Sequence, residues 1–232
     1  TPALSSAASD VYKRQDLGYE TLKREDGEKR RYVTPDGVAY PSVTTVTSIL
    51  NEDKIAAWRA KVGEEEANKI GSKAATRGTA VHNLVEKYLQ NDPDYGKDVM
   101  PHVMQSLTNM KPILEKRMNI IYDQEVPLYS DHLKLAGTCD CACKFDNVNS
   151  IVDFKTSRFP KKKSMLDHYF IQACAYSIMW EERTGMAMPN LVILMDVDNG
   201  RALTYKEHRD NWTDKLHETI ELYHKRNRQK VI

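Results

Sequence analysis

Apolar and polar positions change period repeatedly along this chain. Residues 17–40 alternate in short extended segments separated by Asp26-Gly27 and Asp36-Gly37, dipeptides of tight turns, and predict a hairpin-rich entry. From Ser42 the spacing turns helical: Ser42 to Leu50, Lys54 to Val62, and a long stretch from Glu64 to Leu89 expected to break near Gly71 or Gly78. Asn91 to Gly96 reads as a loop, and Pro101 opens a further helix that Pro112 should kink or restart. Between Ile120 and Lys155 the period falls to two and predicts strands over 120–129, 133–145 and 150–155, the last two joined by a short turn around Asp146 to Asn149. Met165 to Arg183 is again helical, Leu191 to Val197 and Arg201 to Lys206 are extended, and His208 to Gln229 is an amphipathic helix. The fold class expected is α/β, a small mixed central β-sheet flanked by helices with a helical N-terminal part.

The strand that begins IVDFKTSR carries an unusual pattern. Alternate strand residues share a face, so Asp153 and Lys155 point one way while Val152 and Phe154 point the other. With an even turn before this strand, opposing positions in the hairpin sum to 293 or 295, which sets Asp140 opposite Asp153 in one register and opposite Lys155 in the other. Either way the three groups share a face, close enough for two carboxylates to hold one divalent cation. Paired carboxylates repel unless a proton or cation separates them, and hard oxygen donors favour Mg²⁺ or Mn²⁺ over zinc. An adjacent lysine can orient or help deprotonate an attacking water, or neutralise charge on a phosphorane-like transition state. The constellation suits phosphodiester hydrolysis, although D-x-K alone is a weak signal.

Other elements can deliver polar groups to the same place. In RGTAVHNLVEKYL, His82 and Glu86 are i,i+4 on one helical stripe beside the apolar stripe of Val81, Leu84, Val85 and Tyr88. Gly78 in the same helix costs about 1 kcal/mol against alanine, which favours a close-packing reason for it. In YFIQACAYSIMW, Gln172 and Tyr176 project at i,i+4 from an apolar helix, as a clamp or as ordinary core. Glu125, on a neighbouring strand, either joins the metal shell or faces solvent.

Composition changes this picture only locally. The 34 basic and 33 acidic residues leave a net charge of +1, so nucleic-acid affinity has to come from clusters rather than a global field. Arg158, Lys161, Lys162 and Lys163 directly follow the acid–lysine strand, and Lys225, Arg226, Arg228 and Lys230 crowd the C-terminal end. Aromatic residues nearby, Phe159, Tyr169 and Phe170, are placed to stack on unpaired bases or to fill core. Of the four cysteines, Cys139, Cys141 and Cys143 alternate on one strand and are read, with Cys174, as small buried hydrophobes of a reduced compartment. No apolar run of about eighteen residues is present, so no membrane span or membrane partner is expected. The opening TPALSSAASDVYKRQ lacks a continuous apolar segment; no secretion signal is read there, the expected location is cytoplasmic, and residues 1–16 are set aside as a disordered or non-native lead.

The ordered set YPSVTTVTSIL, VGEEEAN after Trp58, RGTAVH, QEVPLY, LAGTCD, IVDFKTS and QACAY resembles the PD-(D/E)XK nuclease superfamily. The likeness is to its RecB-like branch of phage exonucleases and the mitochondrial genome maintenance exonuclease. It covers the chain from about Tyr40 to Tyr176. The resemblance implies His82, Asp140, Asp153 and the Phe154 carbonyl as ligands of Mg²⁺ or Mn²⁺, and Lys155 as the catalytic lysine. Gln172 and Tyr176 match its Q-x-x-x-Y signature, with Glu86 and Glu125 in support and Arg158, Lys161, Lys162 and Lys163 on DNA. Cys139 stands where the motif's proline would be. No cysteine precedes Cys139 and none follows Cys174, so no iron–sulfur cluster is expected. The activity implied is metal-dependent DNA exonuclease, acting on single-stranded DNA or DNA ends in replication, recombination or repair, with a site-specific DNA endonuclease or a catalytically inactive DNA-binding or assembly module of the same fold as the alternatives. One nuclease domain is expected over 17–232, with 17–90 its hairpin and helical part and 100–232 its catalytic core.

Overall fold

A computed structural model describes residues 22–27, 30–198 and 200–229. The expectations for residues 1–16, for the first residues of the hairpin segment and for Lys230 fall outside these. The entry forms a small antiparallel sheet of β1 (Lys23–Glu25), β2 (Arg31–Val33) and β3 (Ala39–Pro41). It packs Leu22 and Tyr32 against Ala136 of the main sheet. Ser42 then caps α1 (Val43–Ser48), its side chain accepting the Thr45 amide at 3.0 Å.

Two long helices follow the expected spacing with one correction each. After α2 (Glu52–Val62), α3 runs unbroken from Glu64 to Leu89 through both Gly71 and Gly78. A Cβ at Gly78 would meet nothing within 4 Å, so close packing does not account for that glycine. Similarly α4 (Pro101–Arg117) begins on its proline and continues through Pro112 without restarting.

The main sheet is mixed, in the order β4 (Met118–Ser130), β5 (Leu135–Phe145), β6 (Val148–Ser157), β7 (Asn190–Val197) and β8 (Arg201–His208). Only β6 and β7 run parallel, because α5 (Asp167–Thr184) carries the chain between them. The β5–β6 hairpin turns on Asp146 and Asn147 alone, with φ of 51° and 64°, the left-handed pair that a two-residue turn demands. That even turn fixes the register at Phe145↔Val148 through Cys141↔Val152, the sum of 293. After a 3₁₀ turn at Arg209–Asn211, α6 (Thr213–Gln229) closes the described chain.

The sheet separates two apolar layers. On one face α3 and α4 bury Val81, Leu84, Met110 and Leu114 against Val152, Phe154 and Leu194. On the other, α5 with α1 and α6 buries Phe170, Trp180, Val46 and Leu216 against Ile151, Ile193 and Met195. The cysteines correct the simple alternation: Cys141 and Cys143 join the α3/α4 layer, whereas Cys139 joins the α5 layer with Cys174. Strand β5 therefore exchanges faces at Asp140. No helix among the described residues is long and apolar enough to cross a membrane.

Candidate metal and phosphodiester site

The exchange of faces at Asp140 builds the site. Glu125 lies across from Asp140, between the pairs Gln124↔Cys141 and Val126↔Cys139. Extending the β5–β6 register by one residue sets Asp140 across from Asp153. Three carboxylates thus fall on one line across β4, β5 and β6. Regular pairing does not continue along that line. Glu125 holds φ at +46°, outside extended geometry, and the β5–β6 ladder ends at Cys141↔Val152. Asp140 Oδ2 takes the place of the missing ladder acceptor by receiving the Phe154 amide at 2.9 Å.

His82 reaches this gap from α3. Its Nε2 lies 2.7 Å from the Phe154 carbonyl oxygen, and since a carbonyl only accepts, Nε2 carries the hydrogen. Nδ1 then faces Asp140 Oδ2 at 3.5 Å and Glu125 Oε1 at 4.0 Å. Burial disfavours an imidazolium here, but Asp140 and then Glu125 outweigh it and lift the His82 pKa to about 9. His82, Glu125 and Asp140 each offer a donor atom within 4.8 Å of the other two. An imidazole nitrogen between two carboxylates requires positive charge, supplied either by a proton on Nδ1 or by a cation. Two oxygen donors and one nitrogen fit a hard divalent ion that keeps several waters.

Asp153 addresses the opposite layer, which corrects the expectation that Asp140, Asp153 and Lys155 share one face. Strand β5 exchanges faces at Asp140, so the Asp140 carboxylate turns to His82 while Asp153 turns to α5, outside the group formed by His82, Glu125 and Asp140. It is buried, accepts the Gln172 side-chain amide at 3.1 Å through Oδ1, and pairs through Oδ2 with Lys155 Nζ at 2.6 Å. Burial raises its pKa, Lys155 opposes the rise and Asp140 adds to it; the net direction is upward. For Lys155, burial disfavours the ammonium, but Asp153 and Asp140 prevail and hold its pKa above the ordinary lysine value. The ammonium is therefore the neutral-pH form. Tyr176 packs beneath this group against Gly137, where a Cβ would stand 2.8 Å from the phenol oxygen. Burial, then Asp140, keeps that phenol protonated well above its ordinary range.

The remaining sequence candidates separate. Glu86 accepts from Gln90 at 2.9 Å and stands outside the converging donors. Lys161 reaches the Tyr169 hydroxyl, Lys163 pairs with Glu207, Lys162 is exposed, and Arg158 lies over the Phe159 ring. Phe170 is fully buried core. Sequence reasoning missed the anchor that seats α3: buried Asp196 accepts from Arg77 at 2.8 Å and from Asn109 at 2.7 Å. Its signal was present, a lone acid inside the apolar run LVILMDV.

No family model and no curated protein matches the chain. Among solved structures it is similar to a candidate exonuclease from Eubacterium rectale, with 14% identity and a TM-score of 0.47, covering 65% of each chain. It is also similar to SSO0001, with 14% identity and a TM-score of 0.40, covering 76% of this chain and 74% of that one. The chain spans just under two thirds of the length of the first.

Proposed function

We propose that the chain is a metal-dependent deoxyribonuclease that hydrolyses phosphodiester bonds, acting as an exonuclease on single-stranded DNA or DNA ends in replication, recombination or repair. The observation that carries this reading is the convergence of His82, Glu125 and Asp140 beside the buried Asp153–Lys155 pair. Such a gathering of negative oxygens next to an ammonium is costly unless a cation and an anionic substrate complete it.

His82, Glu125 and Asp140 would hold Mg²⁺ or Mn²⁺, with Asp153 and the Phe154 carbonyl next to them. An ion bound there supplies Lewis-acid stabilisation of phosphoryl charge and a more acidic water. The chain's own groups divide the remaining work. Asp140 is oriented by the Phe154 amide, and Asp153 by Gln172. Because Lys155 is held as an ammonium, it acts by neutralising negative charge developing on the phosphoryl oxygens and by donating a proton, rather than as a base. Gly137 leaves the space in which Tyr176 seats against this rung.

A time course with 5′- and 3′-labelled single- and double-stranded oligonucleotides, with and without Mg²⁺, tests the reading. The wild type should cleave only with the divalent ion, and linear but not circular DNA. A folded Lys155→Ala variant should lose about a hundredfold or more in rate. Full activity in that variant removes the lysine from the mechanism, and cleavage in excess chelator removes the metal.

A further inference from the structure

Beyond Lys155 the site runs into a second recess. Lys155 Nζ stands 5.1 Å from the Tyr169 ring centre, and Lys161 Nζ stands at the same distance. The His168 ring lies tilted at 45° to that of Tyr169 with ring centres 3.9 Å apart, and His168 also lines a cavity of about 310 Å³. That cavity lies between the start of α2, the 3₁₀ turn at Lys163–Met165, α5 and α6. A continuous series of side chains therefore links the ammonium at the proposed site to this recess.

The lining has two characters. Leu50, Met165 and Ile171 provide apolar surface, and Met165 is 56% exposed although large and hydrophobic. Asn51 and Ser164 bring hydrogen-bonding groups. Among the charged residues, Lys215 is paired with Asp167 at 3.4 Å, which leaves Lys54 and Glu218 unmatched by any ion pair among the described residues. Burial, followed by Lys161, Lys155 and Lys54, presses the His168 pKa down to about 4. At neutral pH it is thus an uncharged ring with ammonium groups around it. A recess that combines the apolar Leu50, Met165 and Ile171 with hydrogen-bonding Asn51 and Ser164 and an uncharged imidazole, next to Lys54 and Lys161 without carboxylate partners among the described residues, matches a heterocyclic base joined to phosphates.

We propose that this cavity takes one unpaired nucleobase of the strand being cut, with the adjoining phosphates on Lys54 and Lys161, so that the protein selects unpaired over fully paired DNA. The identity of the strand rests on the nuclease reading above. A paired base cannot enter the recess without leaving its partner and its stack, and that cost is the source of the discrimination.

Fluorescence anisotropy with Ca²⁺ in place of Mg²⁺ tests the proposal. The probes are labelled single-stranded deoxyoligonucleotides, intact or with one abasic position moved stepwise from the end, and an intact duplex of equal length. At one position the abasic site should weaken wild-type binding by about fivefold or more. Met165→Glu and Lys54→Glu should each bind the intact single strand about tenfold more weakly, bind the duplex within threefold of wild type, and lose sensitivity to the abasic position. Met165 and Lys54 are exposed, and melting curves establish that both variants fold. Absence of a sensitive position, a smaller loss for both variants, or equal loss on single strand and duplex overturns the proposal. Cleavage without this discrimination sinks the base pocket and leaves the nuclease; discrimination without cleavage does the reverse.

Discussion

Glu125 holds a left-handed backbone, φ +46°, in the middle of a thirteen-residue strand, and its carboxylate faces both Asp140 and His82. An L-residue in that region is disfavoured by about 1–2 kcal/mol, and such strain gathers where a side chain has been re-aimed for function. Asparagine tolerates the same conformation but carries no charge. Glu125→Asn is therefore expected to keep the fold and weaken Mn²⁺ binding about tenfold or more, read as a smaller rise in melting temperature on adding the ion. An unchanged rise would place Glu125 outside the site. The pairing of Asp153 with Lys155 was legible in the chain because a period of two settles which residues share a face. Glu125 was legible only as an alternative, metal shell or solvent, since nothing in QEVPLYS marks the residue at which the strand leaves extended geometry.

Elements were legible where their own residues dictate them. Asp146 and Asn147 close the β5–β6 hairpin as a two-residue turn, and Asp146 also pairs with Arg117 and Lys206, each at 2.7 Å. Asp146→Asn keeps the turn geometry and removes the ion pairs. At pH 7 it should cost about 1 kcal/mol after solvent screening. The Arg117 hydrogen bond, followed by that of Lys206, overcomes partial burial and depresses the Asp146 pKa below 3.8. Its stabilisation is therefore fully present above that value and is lost as the pH falls below it. Denaturant melts of wild type and variant should differ at pH 7, and the gap should shrink steadily as the pH is lowered below 3.8; a gap that stays constant with pH would assign the effect to something other than charge. Helix α3 teaches the opposite lesson. Its glycines looked like a break or a close contact, yet the helix is continuous and Gly78 faces open space. Gly78→Ala should then raise stability by about 1 kcal/mol, seen as a higher denaturant midpoint. A lower midpoint would reveal a contact that the fold does not account for.

Across the whole molecule the site exists only because two layers meet through the sheet. His82 arrives from the α3 side, seated by Arg77 on Asp196, while Gln172 holds Asp153 from the α5 side. The layered α/β class follows from the order of helical and strand periods, but the meeting of residues 72 positions apart, His82 and Phe154, depends on packing that no local pattern encodes. With a net charge of +1, attraction of the proposed DNA substrate would have to arise locally, from the site and the lysines around Tyr169. The central claim is that His82, Glu125 and Asp140 share one divalent ion, and proton NMR of the His82 ring during addition of substoichiometric Mn²⁺ tests it most directly. In the wild type the His82 signals should broaden before those of His132 and His208, and Asp140→Asn should abolish that selectivity. Equal broadening of all the histidines, or selective broadening that survives Asp140→Asn, would contradict it.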